Sequence, residues 1–136
     1  LESDNQPRAI LFETALHGEL LNLDEEDNKR HYAGGMSANR INAGLGMIIS
    51  QLLEKVGKEK VAGLYTTGGD TMVNVCYQLG VECIEVLDYV IPQTDIGRLI
   101  GSPYSGLPVV GKGGLTGNDN TACDIVTRLF NEAARK

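Results

Sequence analysis

The stretch VAGLYTTGGDTMVNVCYQLG, residues 61–80, decides the fold expected of this chain. An apolar run ends in two threonines, Gly68 and Gly69 follow, and Asp70 opens a segment whose apolar residues recur at helical spacing up to a terminal glycine. The pattern predicts a strand, a tight turn and a helix. Strands that turn directly into helices are the units of layered α/β domains.

The rest of the chain alternates between strand-like and helical patterns. Strands are predicted at the short apolar segments 8–14, 60–67, 81–90 and 107–112. Helices are predicted at the periodic segments 37–57, 70–80 and 119–134, the first with Ser37 as its N-cap and Gly57 as its C-cap. We interpret the charged segment 22–35 and residues 91–106 as connections. This order favours an α/β fold, a layered sandwich with a largely parallel sheet flanked by helices.

Length and charge limit the class of protein. At 136 residues, with 42% apolar and 22% charged residues, the chain has the size and composition of one globular domain. Its net charge of −6 argues against a nucleic acid or an anionic membrane surface as partner. No apolar run approaches the roughly 20 residues that span a bilayer. The start, LESDNQPR, lacks the pattern of a secretion signal, so we expect a cytoplasmic protein.

The residues that most often bind metals are few and scattered. Cys76, Cys83 and Cys123 form no CxxC pair and lie in apolar periodic segments, which predicts buried free thiols. His17 and His31 have no companion at metal-ligand spacing. The sequence therefore predicts no metal-binding residues.

The two glycines of the opening stretch suit an anion-binding turn. In open parallel sheets, ligands gather where strands end and the backbone N–H groups of the next helix are exposed. Glycine at Gly68 and Gly69 allows unusual dihedrals and close approach of a ligand, and the helix N-terminus favours phosphate. The alternative is a simple turn with Asp70 as helix cap. A second glycine-rich turn, GKGGLTG at 111–117, also follows a strand and precedes a helix, which favours one ligand site formed by both.

Two further patterns concern phosphate chemistry. GLPVVGKG at 106–113 matches seven positions of the P-loop pattern GxxxxGK[ST], but Gly113 supplies no hydroxyl for magnesium and the interior has the pattern of a strand. Asp70 opens another hypothesis, because a carboxylate at a helix start can act as general base toward a sugar hydroxyl, as in kinases of the ribokinase type. Capping, nucleotide contact and base catalysis all stay open for Asp70.

Three segments carry a family resemblance. TTGGDT at 66–71, YVIPQTDIGRLIG at 89–101 and LPVVGKGGLTGNDNT at 107–121 together resemble the carboxyl-terminal, nucleotide-binding domain of the four-carbon acid sugar kinase family. FETALHG and SANRI, further upstream, are similar to it as well. The resemblance implies ATP and Mg²⁺ as cofactors and phosphorylation of acids of the threonate or erythronate type. It also implies that residues 1–136 are one domain of a larger two-domain kinase, inactive alone because the domain that binds the acid sugar is absent.

The resemblance also implies which residues form the site. Carried over by motif, the nucleotide-binding residues belong to the two turns: Thr67, Gly68, Gly69, Asp70, Thr71, Lys112, Gly113, Gly114 and Gly117. The second turn is expected on the wall opposite the first, with Lys112 neutralising phosphate charge. From the residues themselves, Asp70 is the candidate for a catalytic residue, and Arg40 and Arg98 are candidates for phosphate pairing. The family's usual turn, Lys-Ser-Gly-Asn-Phe-Gly, is replaced here by Lys-Gly-Gly-Leu-Thr-Gly, which favours backbone contacts.

A function of another class also fits these residues. The domain could be a non-catalytic regulatory or assembly module that binds a small phosphorylated metabolite. An apolar pocket for adenine favours the kinase, whereas a site for a small anion alone favours the module. The sequence leaves a homo-oligomer open.

Overall fold

The structure is a computed structural model that describes residues 9–135, which form two compact units divided after Ser37. The first unit contains α1 (Leu23–Arg30). Asn22 caps this helix, its side chain accepting from the Glu25 N–H at 3.3 Å. We interpreted this segment as a connection, which is wrong: α1 is charged on all sides, so the Asn-x-x-Glu cap was its main signal.

The strand predicted at 8–14 is also absent from the part of it that the structure describes, residues 9–14. The first of its residues, Arg8, lies outside the described residues. A short apolar run does not form a strand without a neighbour to take its hydrogen bonds, and all four strands of the described chain lie in the second unit.

The long helix α2 (Met36–Val56) is present where a helix was predicted, but Ser37 is not its cap. The capping role belongs to Asp27 of α1, whose buried carboxylate accepts from the N–H groups of Gly35 and Ser37, both at 2.7 Å. Hydrogen bonding from the Ser37 side chain, followed by that from backbone N–H groups, lowers the pKa of Asp27. At the other end, Gly57 stops the helix with a φ of 84°.

The second unit contains one four-stranded sheet. Its strands are β1 (Leu64–Thr67), β2 (Cys83–Ile91), β3 (Thr94–Ile100) and β4 (Pro108–Lys112), in the order β1-β4-β3-β2. Only β1 and β4 are parallel, and both other pairs are antiparallel. The α/β class is confirmed, but the largely parallel sheet is wrong: the sheet is mixed and mostly antiparallel.

The cause of that error is β3, which lies in the segment interpreted as a connection. A two-residue turn at Pro92 and Gln93 joins it to β2, with Gln93 at a φ of 60°. Ile96 and Leu99 are both fully buried, and they pack in different clusters. A strand buried on both faces has no alternating pattern, so its sequence gives little indication of a strand.

Helices cover both faces of the sheet. On one face, residues of α2 and of α3 (Gly69–Gln78) pack with the strands in a cluster of six buried residues: Leu53, Val75, Leu79, Leu99, Leu107 and Val109. On the other, α4 (Thr121–Ala133) contributes to a cluster of four: Ile96, Val110, Ile125 and Leu129. The stop predicted for α3 is confirmed, because Gly80 has a φ of 65° and its N–H donates to the Tyr77 carbonyl at 3.1 Å.

The cysteines are free, as predicted, but they are not all buried. Cys76 is half-buried, and burial raises the pKa of its thiol. Cys83 begins the edge strand β2 and Cys123 lies in α4; both are exposed. Among residues 9–135, no helix is long and apolar enough to cross a membrane.

Candidate functional site

The two glycine turns leave the sheet at the same edge. β1 and β4 are parallel neighbours, so their carboxyl ends lie side by side, with Thr67 paired to Lys112. The Gly68 N–H donates to the Lys112 carbonyl at 3.0 Å, so the two turns are in direct contact. The two turns lie together, as predicted, but they are adjacent and do not form opposite walls.

An open cavity of about 280 Å³ lies against both turns. Gly68 and Gly69 of the first turn line it, together with the second-turn residues Lys112 and Gly113. Apolar side chains complete the lining, among them Met72 of α3 and the β2 residues Ile84 and Val86. The cavity thus combines exposed backbone at the sheet edge with an apolar wall, the mixture typical of sites for organic anions.

The first turn leaves several backbone donors unused. The first bond of α3 runs from the Met72 N–H to the Gly68 carbonyl at 3.1 Å. The N–H groups of Gly69, Asp70 and Thr71 precede it, and none of them finds an acceptor among the described residues. These three donors and the positive end of the helix form an anion-binding geometry.

The two glycines of this turn have different roles. Gly68 is the N-cap of α3, with φ 90° and ψ 130°, a conformation that side chains rarely adopt. Gly69 is the first helical residue, its φ is not positive, and a Cβ added there meets nothing within 4 Å. Neither backbone strain nor packing requires glycine at Gly69. Close approach of a ligand is a physical reason that would require it.

The other predicted residues of the first turn are placed less directly on the cavity. Asp70 lies in the first turn of α3, so it is not the helix cap; its carboxylate is exposed and does not line the cavity. The Thr71 hydroxyl donates to Oδ1 of Asn42 at 2.8 Å, which ties α3 to α2. Thr67 is exposed at the end of β1. Any contact from Asp70 or Thr71 inside the cavity therefore comes from the backbone.

Lys112 holds the second turn together. Its Nζ donates to the carbonyls of Gly113 and Thr116, the latter at 2.6 Å. The Gly113 N–H donates to the Gln93 carbonyl at 3.0 Å, which fixes the turn to the β2–β3 hairpin. Close packing also explains Gly111, because a Cβ there would collide with Sδ of Met72. Lys112 is among the residues that line the cavity, and the carbonyls of its own turn hold its ammonium group.

Gly114 and Gly117 lie further from this cavity. Gly117 has a φ of 99°, and a Cβ there would lie 2.5 Å from Oγ1 of Thr121. It lines a second cavity of about 400 Å³, between the hairpin tip at Gln93 and the start of α4. Gly114 lines neither cavity. The conformation of the turn therefore explains glycine at Gly117 without any ligand.

The two arginines considered for phosphate pairing are not at the cavity. Arg98 pairs with Pro108, at the end of β4 opposite the turn, and its Nη2 donates to Oε1 of the buried Glu132 at 2.6 Å. Arg40, in α2, lines neither cavity.

One cavity residue was not predicted from the sequence. Asp95 lines the cavity, and it is paired with Gly111 across the β3–β4 ladder. Because β3 was interpreted as a connection, this pairing could not be predicted. The two-residue turn at Pro92 was the signal that could have revealed it. The described chain holds no group of three or more His, Cys, Asp or Glu residues that could bind a metal ion.

Comparison with known proteins identifies the family. A family model described as "Nucleotide-binding C-terminal domain" matches residues 2–122. The chain belongs to this family. It is 41% identical over 99 residues to the D-erythronate kinase of Heliobacterium modesticaldum, covering 73% of this chain and 22% of that protein. It is 33% identical over 87 residues to the D-threonate kinase of Salmonella typhimurium, covering 64% and 20%. The predicted family, the nucleotide-binding domain of acid sugar kinases, is confirmed.

Solved structures give the same fold. Two crystal forms of a domain of unknown function from Bordetella bronchiseptica, described as domain-swapped dimers with bound citrate, match with TM-scores of 0.64 and 0.65. They are 27% and 28% identical to this chain, covering 73% and 72% of it and 24% of the solved chain. The chain spans about a fifth of the length of the curated relatives that it matches.

Proposed function

We propose that the chain binds ATP with Mg²⁺ at the cavity between the two glycine turns. In this proposal it is the nucleotide-binding domain of a kinase for four-carbon acid sugars of the threonate or erythronate type. The contact between the turns supports the proposal most, since it gathers unused N–H donors, Lys112 and an apolar wall around one cavity. The erythronate and threonate kinases among the relatives support the same substrate class.

Each part of the cavity has a task in the proposed complex. The N–H groups of residues 69–71 hold phosphate oxygens, with the dipole of α3 and the charge of Lys112 opposing the phosphate charge. Met72, Ile84 and Val86 offer apolar surface to the base. When bound, Mg²⁺ neutralises charge that develops on the phosphates. Catalysis then depends chiefly on donors that are already in place when the nucleotide arrives.

Asp70 is the general base of the proposed reaction. Its exposed carboxylate makes no hydrogen bond within the described part of the chain, and it directly follows the phosphate-binding Gly69. An acceptor hydroxyl carried by another domain can therefore reach it. We place the acid sugar on a separate amino-terminal domain, so the chain by itself shows no kinase activity, because transfer requires donor and acceptor in line.

The setting of the protein is part of the proposal. ATP as cofactor fits a cytoplasmic enzyme. An assembly of more than one copy is included because the solved relative is described as a domain-swapped dimer in both crystal forms.

Calorimetric titration of the chain with ATP in Mg²⁺ tests the proposal, with GTP and inorganic phosphate as controls. We expect saturable binding of ATP and little heat from phosphate. Saturable binding of phosphate at the same site without preference for a nucleotide would instead support a regulatory module that takes a small phosphorylated metabolite. Absence of any binding would refute both functions for the chain.

A further inference from the structure

Asp95 lies level with the end of β1, the strand that leads into the first glycine turn. Thr66 of β1, Gly111 of β4 and Asp95 of β3 are partners across three adjacent strands. Two strand spacings separate the Cα atoms of Thr66 and Asp95, about 10 Å. That distance is wide enough for phosphate groups held on residues 69–71 to lie between the turn and the carboxylate.

Asp95 is not neutralised by the protein. Its carboxylate makes no hydrogen bond or ion pair with any residue that the structure describes, and its ladder partner Gly111 has no side chain. Asp88, on the neighbouring strand, instead pairs with Arg128 at 3.3 Å. Lys112 also lines the cavity, and its ammonium group donates to the carbonyls of its own turn. A lone carboxylate therefore lies in a cavity whose other polar groups suit an anion.

A carboxylate and a phosphate repel each other in one cavity unless a cation lies between them. Mg²⁺ in nucleotide sites is typically bound by one or two carboxylates together with phosphate oxygens and water, so a single aspartate is sufficient on the protein side. This requirement is compatible with the lack of a three-residue metal cluster in the described chain.

We propose that Asp95 is the protein ligand of the Mg²⁺ that accompanies the nucleotide. The proposal rests on the proposed function, since phosphate oxygens supply the other ligands. It assigns the metal-binding role to a residue of β3, a position for which the glycine-turn motifs give no indication. Asp95 is then also the residue that makes nucleotide binding depend on a divalent cation.

The test compares nucleotide affinity with and without metal. ADP is titrated into the chain in excess Mg²⁺ and again in EDTA, for the wild type and for Asp95→Asn. We expect Mg²⁺ to raise the wild-type affinity about tenfold or more, and to have little effect in the variant. In EDTA, the variant should bind ADP several-fold more tightly than the wild type, because the repulsion is gone.

Glu85→Gln is the matched control. Glu85 lies on β2 between the cavity-lining residues Ile84 and Val86, so it points to the other face of the sheet, where its partner is Arg98. It should keep the wild-type response to Mg²⁺. Electron paramagnetic resonance of Mn²⁺ gives a second readout: ADP should increase the bound Mn²⁺ in the wild type and in Glu85→Gln, but not in Asp95→Asn.

The remaining outcomes separate this inference from the proposed function. An undiminished effect of Mg²⁺ in Asp95→Asn would overturn the metal-binding role. Equal weakening in Mg²⁺ and in EDTA would also overturn it, and would make Asp95 an acceptor for a ribose hydroxyl or a base amino group. If the wild type bound no ADP under either condition, the proposed function itself would fail. Thermal denaturation of each variant confirms that the fold is retained.

Discussion

Replacing Gly69 by alanine should strengthen the fold and weaken nucleotide binding. Gly69 is the first residue of α3, its φ is not positive, and an added Cβ meets nothing within 4 Å. A glycine-to-alanine change at such a position stabilises proteins by about 0.4–1 kcal/mol, mainly by restricting the unfolded chain. In the proposed complex, the same methyl group obstructs the approach of phosphate oxygens to the N–H groups of residues 69–71.

The expected loss of affinity follows from the hydrogen bonds at stake. A hydrogen bond to a charged group contributes about 1.5–3 kcal/mol, and every 1.4 kcal/mol is a factor of ten in affinity. Loss of one such bond predicts ATP affinity about 10- to 100-fold below the wild type. Calorimetric titration measures the affinity, and urea denaturation of the same preparation measures the free energy of unfolding.

Alanine variants at two further glycines distinguish obstruction of the ligand from backbone strain. Gly68→Ala introduces a side chain at a φ of 90°, at an expected cost of about 1–3 kcal/mol, and it also lies on the cavity. Gly106→Ala adds a similar strain at a φ of 85°, with no atom within 4 Å of the new Cβ, but away from the cavity. Gly106→Ala should lose stability and keep its ATP affinity. Wild-type affinity in a folded Gly69→Ala variant would refute the reasoning.

Three other changes test separate parts of the account. In the full-length enzyme, Asp70→Asn should lower turnover by about two to four orders of magnitude with little change in ATP affinity; unchanged turnover would remove Asp70 as general base. Arg98→Met removes the hydrogen-bond partner, at 2.6 Å, of the buried Glu132, and should lower the free energy of unfolding measured with urea by about 1–3 kcal/mol. A fall in ATP affinity would instead show that Arg98 does reach the phosphates. The lowered pKa of Asp27 adds stability that is present above its unfolded pKa near 3.8 and is lost as the pH falls through the lower folded value. Asp27→Asn should therefore flatten the acid side of the plot of unfolding free energy against pH. Equal acid sensitivity of the variant and the wild type would contradict this.

Local signals were sufficient for α2, α3 and α4, and for the glycines that end the first two of these helices. Gly57 and Gly80 stop helices because the chain there needs positive φ, a property of the residue itself. The direction of the strands is not a local property. β3 is buried on both faces and contains Gly97, where a Cβ would lie 2.6 Å from the Glu85 carbonyl, so neither alternation nor propensity marks it as a strand. Without β3, the sheet could only be expected to be parallel.

Of the candidate site, the two glycine turns could be predicted from the sequence, but their internal hydrogen bonds and Asp95 could not. The turns at Gly68 and Lys112 were identifiable because glycines between a strand and a helix are typical of turns that bind anions through the backbone. The hydrogen bonds that Lys112 makes to its own turn depend on how that turn folds back, which residue types do not specify. Asp95 reaches the cavity only through its pairing with Gly111, across a hairpin that had not been predicted.

Titration of the ¹⁵N-labelled chain with ATP in Mg²⁺, followed by amide chemical shifts, tests the central claim most directly. The account predicts the largest shifts at the N–H groups of Gly69, Asp70 and Thr71, with smaller ones at Gly113, and saturation at the affinity measured by calorimetry. The amide of Gly106, which precedes β4, is an internal control that should not move. Shifts confined to the second cavity, around Gly117, or no shifts at saturating ATP, would contradict it.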